Sequence, residues 1–245
     1  MALPLVNVFS SPYEAWITRQ ATQQEMMQHH HETGRFITVV NDKLIARVTN
    51  ALEAANYICG IGADNGLGNF VNSALNNSPH FKAWRDAMPS RTPKALSKYQ
   101  KEFPNYNHID VDSEINDIGQ SLDEGQMLFH GGVWPGGCSA EFKSIRPFSA
   151  SFCPQVALRN AEHGGKAYDT NRIDLLVLRA TRPTTKVFSF RRYGTNLGHE
   201  NEVLFASGAH LKLRAISLIR NDYLAAKCSM PNKKIEIYVT EVDIS

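Results

Sequence analysis

The chain has 245 residues, of which 42% are hydrophobic and 20% are charged, so it is long enough to bury one substantial core. Its formal net charge is only +2, and such a balance does not indicate a nucleic-acid or membrane partner. No apolar run approaches the ~20 residues of a membrane span, and the N-terminus lacks a basic segment followed by an apolar one. The four cysteines are widely spaced, which predicts free thiols rather than a zinc site or a disulfide framework.

Residues 1–42 are rich in Ser, Gln and His and show little sustained periodicity. We predict a partly ordered leader with short helices in this segment. The run His29–His31 is a candidate metal site, but three adjacent histidines point in different directions. The sequence therefore predicts no metal.

Residues 43–124 show a helical pattern, because apolar residues between Leu44 and Ala55 recur every three to four positions. This spacing predicts a helix that begins near Asp42, and residues 70–88 and 112–125 look similar. The predicted helix caps are Asp42, Ser78 and Asp112, with Pro79 at the first helical position after Ser78.

Residues 125–245 are predicted to be rich in strands, with one helix over about Pro154 to Glu162. Helices first and strands afterwards favour an α+β fold, which we assign to a single domain over residues 43–245. The predicted strands are 126–132, 145–152, 172–180, 186–190, 201–207, 211–220 and 233–242.

Two other candidate sites are weaker. The stretch GIGADNGLG at 60–68 has Asn65 where a dinucleotide-binding fingerprint has its third glycine, and its flanks are helical; we predict a loop. Cys138 could act as a nucleophile with His163 or His199 as its base, but nothing nearby would lower its pKa.

An acidic pair, Glu200 and Glu202, precedes an apolar run. In a strand that begins near Asn201 the two side chains would point the same way, because side chains alternate. Close anions raise each other's pKa and cost stability, so such a pair suits a site where positive charge develops. For an isolated pair, an exposed strand end is the alternative.

Two further polar elements end earlier predicted strands. His130 supplies a ring nitrogen beside two glycines, which permit close approach of a ligand. Ser149 and Ser151 share one face of the strand RPFSASF. The chain order is therefore a ring donor, a serine pair and a carboxylate pair.

With these elements the sequence resembles the mono-ADP-ribosyltransferases, the toxin and effector superfamily that splits NAD at its nicotinamide bond. In the clostridial and cholera-toxin-like branch, an aromatic-Arg, a Ser-Thr-Ser and a [Gln/Glu]-x-Glu element follow one another. PFSASFCPQVALRNA looks like the serine element, and GHENEVLFASGAHLKL looks like the carboxylate element. The likeness covers about 126–242. His130 stands where that branch has Arg, and HG at this place is similar to the diphtheria-toxin-like branch.

The resemblance implies a helical lobe over 43–124 and a mixed, mostly antiparallel two-sheet core over 125–245. It implies NAD as the substrate, with Glu202 stabilising the cation, Glu200 serving the acceptor and Ser149 holding Glu202. Ser151 would support the strand, and a loop at 189–199 would recognise the acceptor. The remaining implied NAD contacts are Phe129, His130, Gly131, Ser149, Ser151 and Arg146, and the implied acceptor contacts are Arg191, Arg192 and Tyr193.

The expected activity is transfer of ADP-ribose to a side chain of a host-cell protein by an exported effector that acts in the host cytoplasm; a cytoplasmic protein is the alternative. The chain is expected to be a monomer, with no nucleic-acid or membrane partner. The alternatives are an NAD glycohydrolase and an inactive binding module with the same fold.

Overall fold

Residues 2–137, 139–191 and 197–245 are described by a computed structural model of the chain. Most helices come before most strands, which agrees with the predicted α+β class. The elements up to residue 118 are β1 (Tyr13–Gln20), α1 (Gln23–Thr33), β2 (Val39–Val48), α2 (Ala51–Ile61), α3 (Asn65–Asn77), α4 (Pro79–Ala87), α5 (Lys94–Glu102) and α6 (His108–Ile118).

Five of the six helices in this half begin with a side-chain cap, and α5 is the exception. Ser78 caps α4, with its hydroxyl accepting from the Phe81 N–H, and Pro79 follows in the first turn, as predicted. Helix α2 instead begins after Asn50, whose side chain accepts from the Glu53 N–H.

The helix predicted from Asp42 is confirmed from Ala51, where α2 begins, and is wrong over 42–48, because residues 39–48 form β2 and pair antiparallel with β1. The apolar side chains of this segment contact residues on the neighbouring strand instead of one side of a helix. Leu44, for example, is paired with Trp16. Asp42 therefore lies within a strand. Asp112 is not a cap either, since it lies inside α6, which Asn107 caps.

Residues 1–42 contain more regular structure than predicted. They include β1, α1 and the start of β2, and a reciprocal Thr22–Glu25 capping box begins α1. None of the α1 residues is buried. The stretch 60–68 is likewise more helical than predicted, because only 62–64 separate α2 from α3.

The later elements include the predicted helix at its predicted bounds. The segment 163–165 is a short 3-10 turn before α8, and 198–200 is another before β9. The elements are β3 (Gln120–Ser121), β4 (Met127–Gly132), β5 (Glu141–Lys143), β6 (Phe148–Ser151), α7 (Pro154–Glu162), α8 (Lys166–Thr170), β7 (Arg172–Ala180), β8 (Lys186–Ser189), β9 (Glu202–Phe205), β10 (His210–Lys227) and β11 (Met230–Ile244).

Nine strands pair in one continuous sheet, in the order β3-β8-β9-β6-β4-β7-β11-β10-β5. Its pairings are antiparallel except for β7 with β11, so the sheet is mixed and mostly antiparallel, as expected. The expected division of this core into two sheets is not seen in the pairing. Strands β1 and β2, which α1 separates along the chain, form a separate two-stranded sheet.

Helix α7 packs closely on β4, and Gly131 makes this contact possible. A Cβ atom at Gly131 would collide with the Ala157 carbonyl oxygen on α7, so no larger residue fits there. Within the described parts of the chain, no helix has the length and apolar character that a membrane span requires.

Candidate active site

A cavity of about 430 Å³ opens between the strands β4, β6 and β9 and the helices α5 and α7. This volume lies within the range of small-molecule sites. Both members of the predicted acidic pair and both predicted serines line it, as do Phe129, His130 and Gly131. The fold therefore gathers most of the predicted site residues in one place.

Glu202 is the first residue of β9 and is only 4% exposed. Its Oε1 atom accepts hydrogen bonds from the Ser149 hydroxyl at 2.7 Å and from the Tyr99 hydroxyl at 2.9 Å. Its Oε2 atom accepts one longer bond, 3.4 Å, from Gln100 Nε2. All three donors are neutral, and within the described residues no cation lies within ion-pair distance of Glu202.

Burial raises the pKa of Glu202 to about 7, because desolvation penalises the charged carboxylate. The hydrogen bonds from Ser149, Tyr99 and Gln100 act in the opposite direction and favour ionisation, while the nearby negative charge of Glu200 disfavours it. Glu202 is thus a carboxyl group that ionises near neutral pH inside a cavity.

Glu200 reaches the cavity by a different route from the one predicted. It ends the 3-10 turn 198–200, and Asn201 takes a left-handed conformation with φ of 48° before the strand begins at Glu202. The strand alternation expected for the pair therefore does not apply to Glu200. Its carboxyl still lines the cavity, and partial burial raises its pKa.

Two side chains fix this turn. The Ser151 hydroxyl donates to the Glu200 carbonyl oxygen at 2.6 Å and accepts from the Cys153 N–H at 3.0 Å. Asn201 donates from Nδ2 to the Asn72 side-chain oxygen on α3 at 2.8 Å. Ser151 therefore links the turn of the acidic pair to the start of α7.

His130 packs against Phe148, with ring centroids 4.4 Å apart. Its Nδ1 lies 2.7 Å from the Ser149 carbonyl oxygen, and because a carbonyl only accepts, Nδ1–H is the donor. Burial lowers the pKa of His130, so the ring is neutral at pH 7 and Nε2 is left as an acceptor. His130 thus supplies no positive charge at the position where the resembling branch has Arg.

The glycine beside His130 has a structural function. Gly131 lines the cavity, but the close contact with α7 already requires glycine there, so approach of a ligand is not its main physical reason. Phe129 is buried and lies next to the cavity as part of the core.

The predicted arginines lie away from the cavity wall or outside the described residues. Arg146 is exposed and does not line the cavity. Burial raises the pKa of the Tyr106 phenol, and the positive charge of Arg146 opposes that rise. Arg191 is half-buried after β8. Arg192, Tyr193 and Cys138 lie outside the described residues.

Sequence reasoning missed the wall that α5 contributes. Tyr99 and Gln100 are both buried and both donate to Glu202, yet they are about a hundred residues from the acidic pair. It also missed Lys166, which lines the cavity after α7, and it considered His163 only as a base for Cys138, although His163 lines this cavity. Lys166 is the only lysine or arginine among the described lining residues. In sequence, Tyr99 and Gln100 show only the pattern of an amphipathic helix.

Neither a protein-family model nor a curated protein matches the sequence. Similar solved structures include the Vis toxin, an ADP-ribosyltransferase from Vibrio splendidus, at 12% identity and a TM-score of 0.33, covering 93% of this chain and 88% of that one. Plx2a, an ADP-ribosyltransferase toxin from Paenibacillus larvae, is 9% identical with a TM-score of 0.38, covering 67% and 90%.

The enzymatic component C2-I of the Clostridium botulinum C2 toxin is 11% identical with a TM-score of 0.36. That match covers 66% of this chain and 45% of C2-I, so it spans less than half of the toxin component. Similarity at this level does not define the fold or the activity of the present chain.

Proposed function

We propose that the protein is a mono-ADP-ribosyltransferase that transfers ADP-ribose from NAD to a side chain of another protein. The observation that carries the proposal is Glu202, a buried carboxyl in a cavity, which neutral donors hold and which has no cation of the described residues within ion-pair distance. Such a group is suited to stabilising positive charge that appears only during a reaction. The sequence elements that resemble the superfamily supply the substrate class.

The reaction in the proposal breaks the bond between ribose C1′ and the nicotinamide nitrogen. The electron pair leaves with nicotinamide, which departs as a neutral molecule, and C1′ becomes an oxocarbenium-like cation. Glu202 in its ionised form stabilises this cation, a contribution of about 3–4 kcal/mol by comparison with other preorganised groups. Its Oε2 atom, with one long hydrogen bond, has capacity to accept from a ribose hydroxyl.

The second half of the reaction forms a bond between C1′ and the acceptor. In the proposal Glu200 takes the proton that the acceptor nucleophile loses, because Glu200 lines the same cavity and its burial raises its pKa. The products are the ADP-ribosylated protein, nicotinamide and one proton. The acceptor is proposed to be a protein of another cell, reached after export.

The rest of the cavity has groups that match NAD. Lys166 offers a positive charge for the diphosphate, whereas Arg146, an expected NAD contact, does not line the cavity. The His130 Nε2 atom offers an acceptor for a ribose hydroxyl or for the carboxamide of nicotinamide. Phe148 provides an apolar surface next to His130.

Labelled NAD incubated with the purified protein and a cell lysate tests the proposal. Transfer predicts label on a protein band, a glycohydrolase predicts free ADP-ribose without a band, and an inactive binding module predicts intact NAD. Glu202→Gln, which keeps the shape of the side chain, should lower nicotinamide release by about 10²- to 10³-fold.

A second comparison distinguishes the proposed role of Glu200 from that of Glu202. Glu200→Gln should reduce transfer to protein more than hydrolysis of NAD, because water needs less assistance from an oriented base than a bulky acceptor. An equal loss of both activities would contradict the acceptor role of Glu200. Lys234→Ala serves as the surface control, since Lys234 is exposed and does not line the cavity.

A further inference from the structure

We infer that Tyr99 and Gln100 of helix α5 are positioning residues that orient Glu202 and hold it in its ionised form. The inference rests on the proposed function and extends it to a helix outside the elements that carry the family resemblance. We call Tyr99 and Gln100 together the α5 clamp.

The geometry of the α5 clamp is specific to the two Glu202 oxygens. Tyr99 donates to Oε1 at 2.9 Å, and the next residue, Gln100, donates to Oε2 at 3.4 Å. Adjacent residues on one helix turn thus contact both oxygens of one carboxyl group. Rotation of the carboxylate plane would break at least one of these bonds, so the clamp restricts its orientation.

An aromatic cluster holds Tyr99 in place. The Tyr99 ring stacks on Phe190, with centroids 6.2 Å apart, and meets Phe103 and Tyr106 edge-on at 5.9 and 4.8 Å. Phe190 follows β8, so the cluster connects α5 to the strand beside β9. The hydroxyl of Tyr99 is therefore presented by a packed ring and not by a mobile side chain.

The balance of charges around Glu202 explains why these donors matter. The titratable groups that interact with it are Glu200 from the preceding turn, Tyr99 from α5, and Tyr106 beyond Tyr99. None of these three carries a positive charge at neutral pH, and burial opposes ionisation of the carboxyl. His130, His163 and Lys166 line the same cavity, but none of them forms an ion pair with Glu202 in the described structure. The hydrogen bonds that favour the carboxylate come from neutral donors, namely the two residues of the α5 clamp and Ser149.

A series of pH profiles tests the inference. Tyr99→Phe and Gln100→Leu each remove one donor without adding a charge. Tyr106→Phe is the matched control, because it removes a hydroxyl from the same cluster that makes no hydrogen bond to Glu202 in the described structure. The kcat for nicotinamide release is measured from pH 5.5 to pH 9.5, together with KM for NAD.

The expected result is a rise in the midpoint of the acid limb for both clamp variants, by about one pH unit for Tyr99→Phe and by less for Gln100→Leu, whose hydrogen bond is longer. At pH 7 the kcat of Tyr99→Phe then falls about five- to tenfold, and at pH 9.5 most of it returns. KM should change little. Tyr106→Phe should keep the wild-type profile. A loss that is the same at every pH would overturn the inference.

A direct titration keeps this test separate from the proposed function. Glutamate labelled with ¹³C at the carboxyl carbon reports the ionisation of Glu202, whose signal is identified by its absence in Glu202→Gln. A midpoint that rises in both clamp variants supports the inference, and an unchanged midpoint overturns it. If the wild-type protein leaves NAD intact, the proposed function fails, and the titration still decides whether the clamp controls Glu202.

Discussion

Two buried carboxylates on the same sheet have opposite surroundings. Asp174 on β7 is fully buried, and its Oδ1 atom lies 2.8 Å from the Arg172 guanidinium while its Oδ2 atom accepts from the Trp134 N–H at 2.6 Å. Glu202 on β9 is nearly as buried but has only neutral donors around it.

The difference separates a structural group from a candidate catalytic one. The negative charge of Asp174 is already compensated by a cation on its own strand, so nothing further is needed for its burial. The charge of Glu202 is not compensated by a cation within the described structure, and burial therefore raises the pKa of Glu202 to about 7. An uncompensated carboxylate in a cavity is a site for a positive charge that comes from elsewhere.

The largest effect is expected from giving Glu202 the kind of partner that Asp174 has. Gln100→Lys places an amino group where Gln100 now donates to Oε2, which should lower the pKa of Glu202 and neutralise the charge that a reacting cation needs. We expect kcat for nicotinamide release to fall by about 10²- to 10³-fold. Gln100→Met, of similar length and uncharged, should retain far more activity; equal losses in the two variants would show that charge is not the cause.

A second expected effect concerns stability and pH. The pKa of Glu202 is about 7 in the folded protein and 4.5 when unperturbed. Between these values the folded state holds a proton that the unfolded state has lost, so this group contributes less stability as pH rises through the window. The free energy of unfolding of Glu202→Gln, relative to wild type, should therefore rise by up to about 3 kcal/mol from pH 4.5 to pH 7.

Urea unfolding of both proteins across that range measures this difference. Subtracting wild type from the variant removes the contribution of the other titrating groups. A difference that stays constant with pH would mean that Glu202 ionises normally and that the comparison with Asp174 is unfounded.

A smaller effect is expected at the compensated carboxylate. Asp174→Asn removes the charge from the bonds to Arg172 and Trp134 but keeps an acceptor oxygen, so we expect a loss of about 2 kcal/mol in unfolding free energy. Activity per folded molecule should remain close to wild type, because Asp174 does not line the cavity. Nicotinamide release measured well below the unfolding temperature checks this, and a specific loss of kcat would assign Asp174 to the site.

The smallest effect is expected from the serine donor. Ser149→Ala removes the 2.7 Å hydrogen bond to Glu202 Oε1 and leaves the Tyr99 bond in place. We expect kcat at pH 7 to fall about tenfold, or about 1.4 kcal/mol in barrier, with partial recovery at higher pH. Ser149→Thr, which keeps the hydroxyl, is the control. Identical behaviour of the two variants would exclude a role for this hydrogen bond.

Much of the fold could be predicted from local pattern. Strands such as Arg172–Ala180 and the helix Pro154–Glu162 have the predicted bounds, because a continuous apolar run or a first-turn proline specifies each of them locally. The pattern from Leu44 to Ala55 was predicted correctly from Ala51, in α2, and wrongly up to Val48, in β2. Its apolar spacing fits a helix, but strand pairing with β1 satisfies the backbone hydrogen bonds of residues 39–48.

The carboxylate pair was predicted in part. The chain order of His130, Ser149 and Glu202 indicated one site, and all three line one cavity. The conformation at Asn201 was not foreseeable, because its positive φ follows from the turn and from a hydrogen bond to Asn72 on a distant helix. The strand therefore begins at Glu202, one residue later than predicted, and Glu200 lies outside its alternation of side chains.

The sequence by itself determined the chemical inventory: two acidic side chains, two serines and a ring nitrogen at the ends of strands, in an α+β chain. Those features are local, since spacing and side-chain type are properties of short segments. Only the tertiary structure decided that Tyr99 and Gln100 hold Glu202 and that Gly131 serves helix packing. It also decided that His130 is neutral, so that Lys166 supplies the positive charge among the described residues of the cavity wall. Ionisation and contact depend on which distant segments exclude water from a group, and no short segment encodes that.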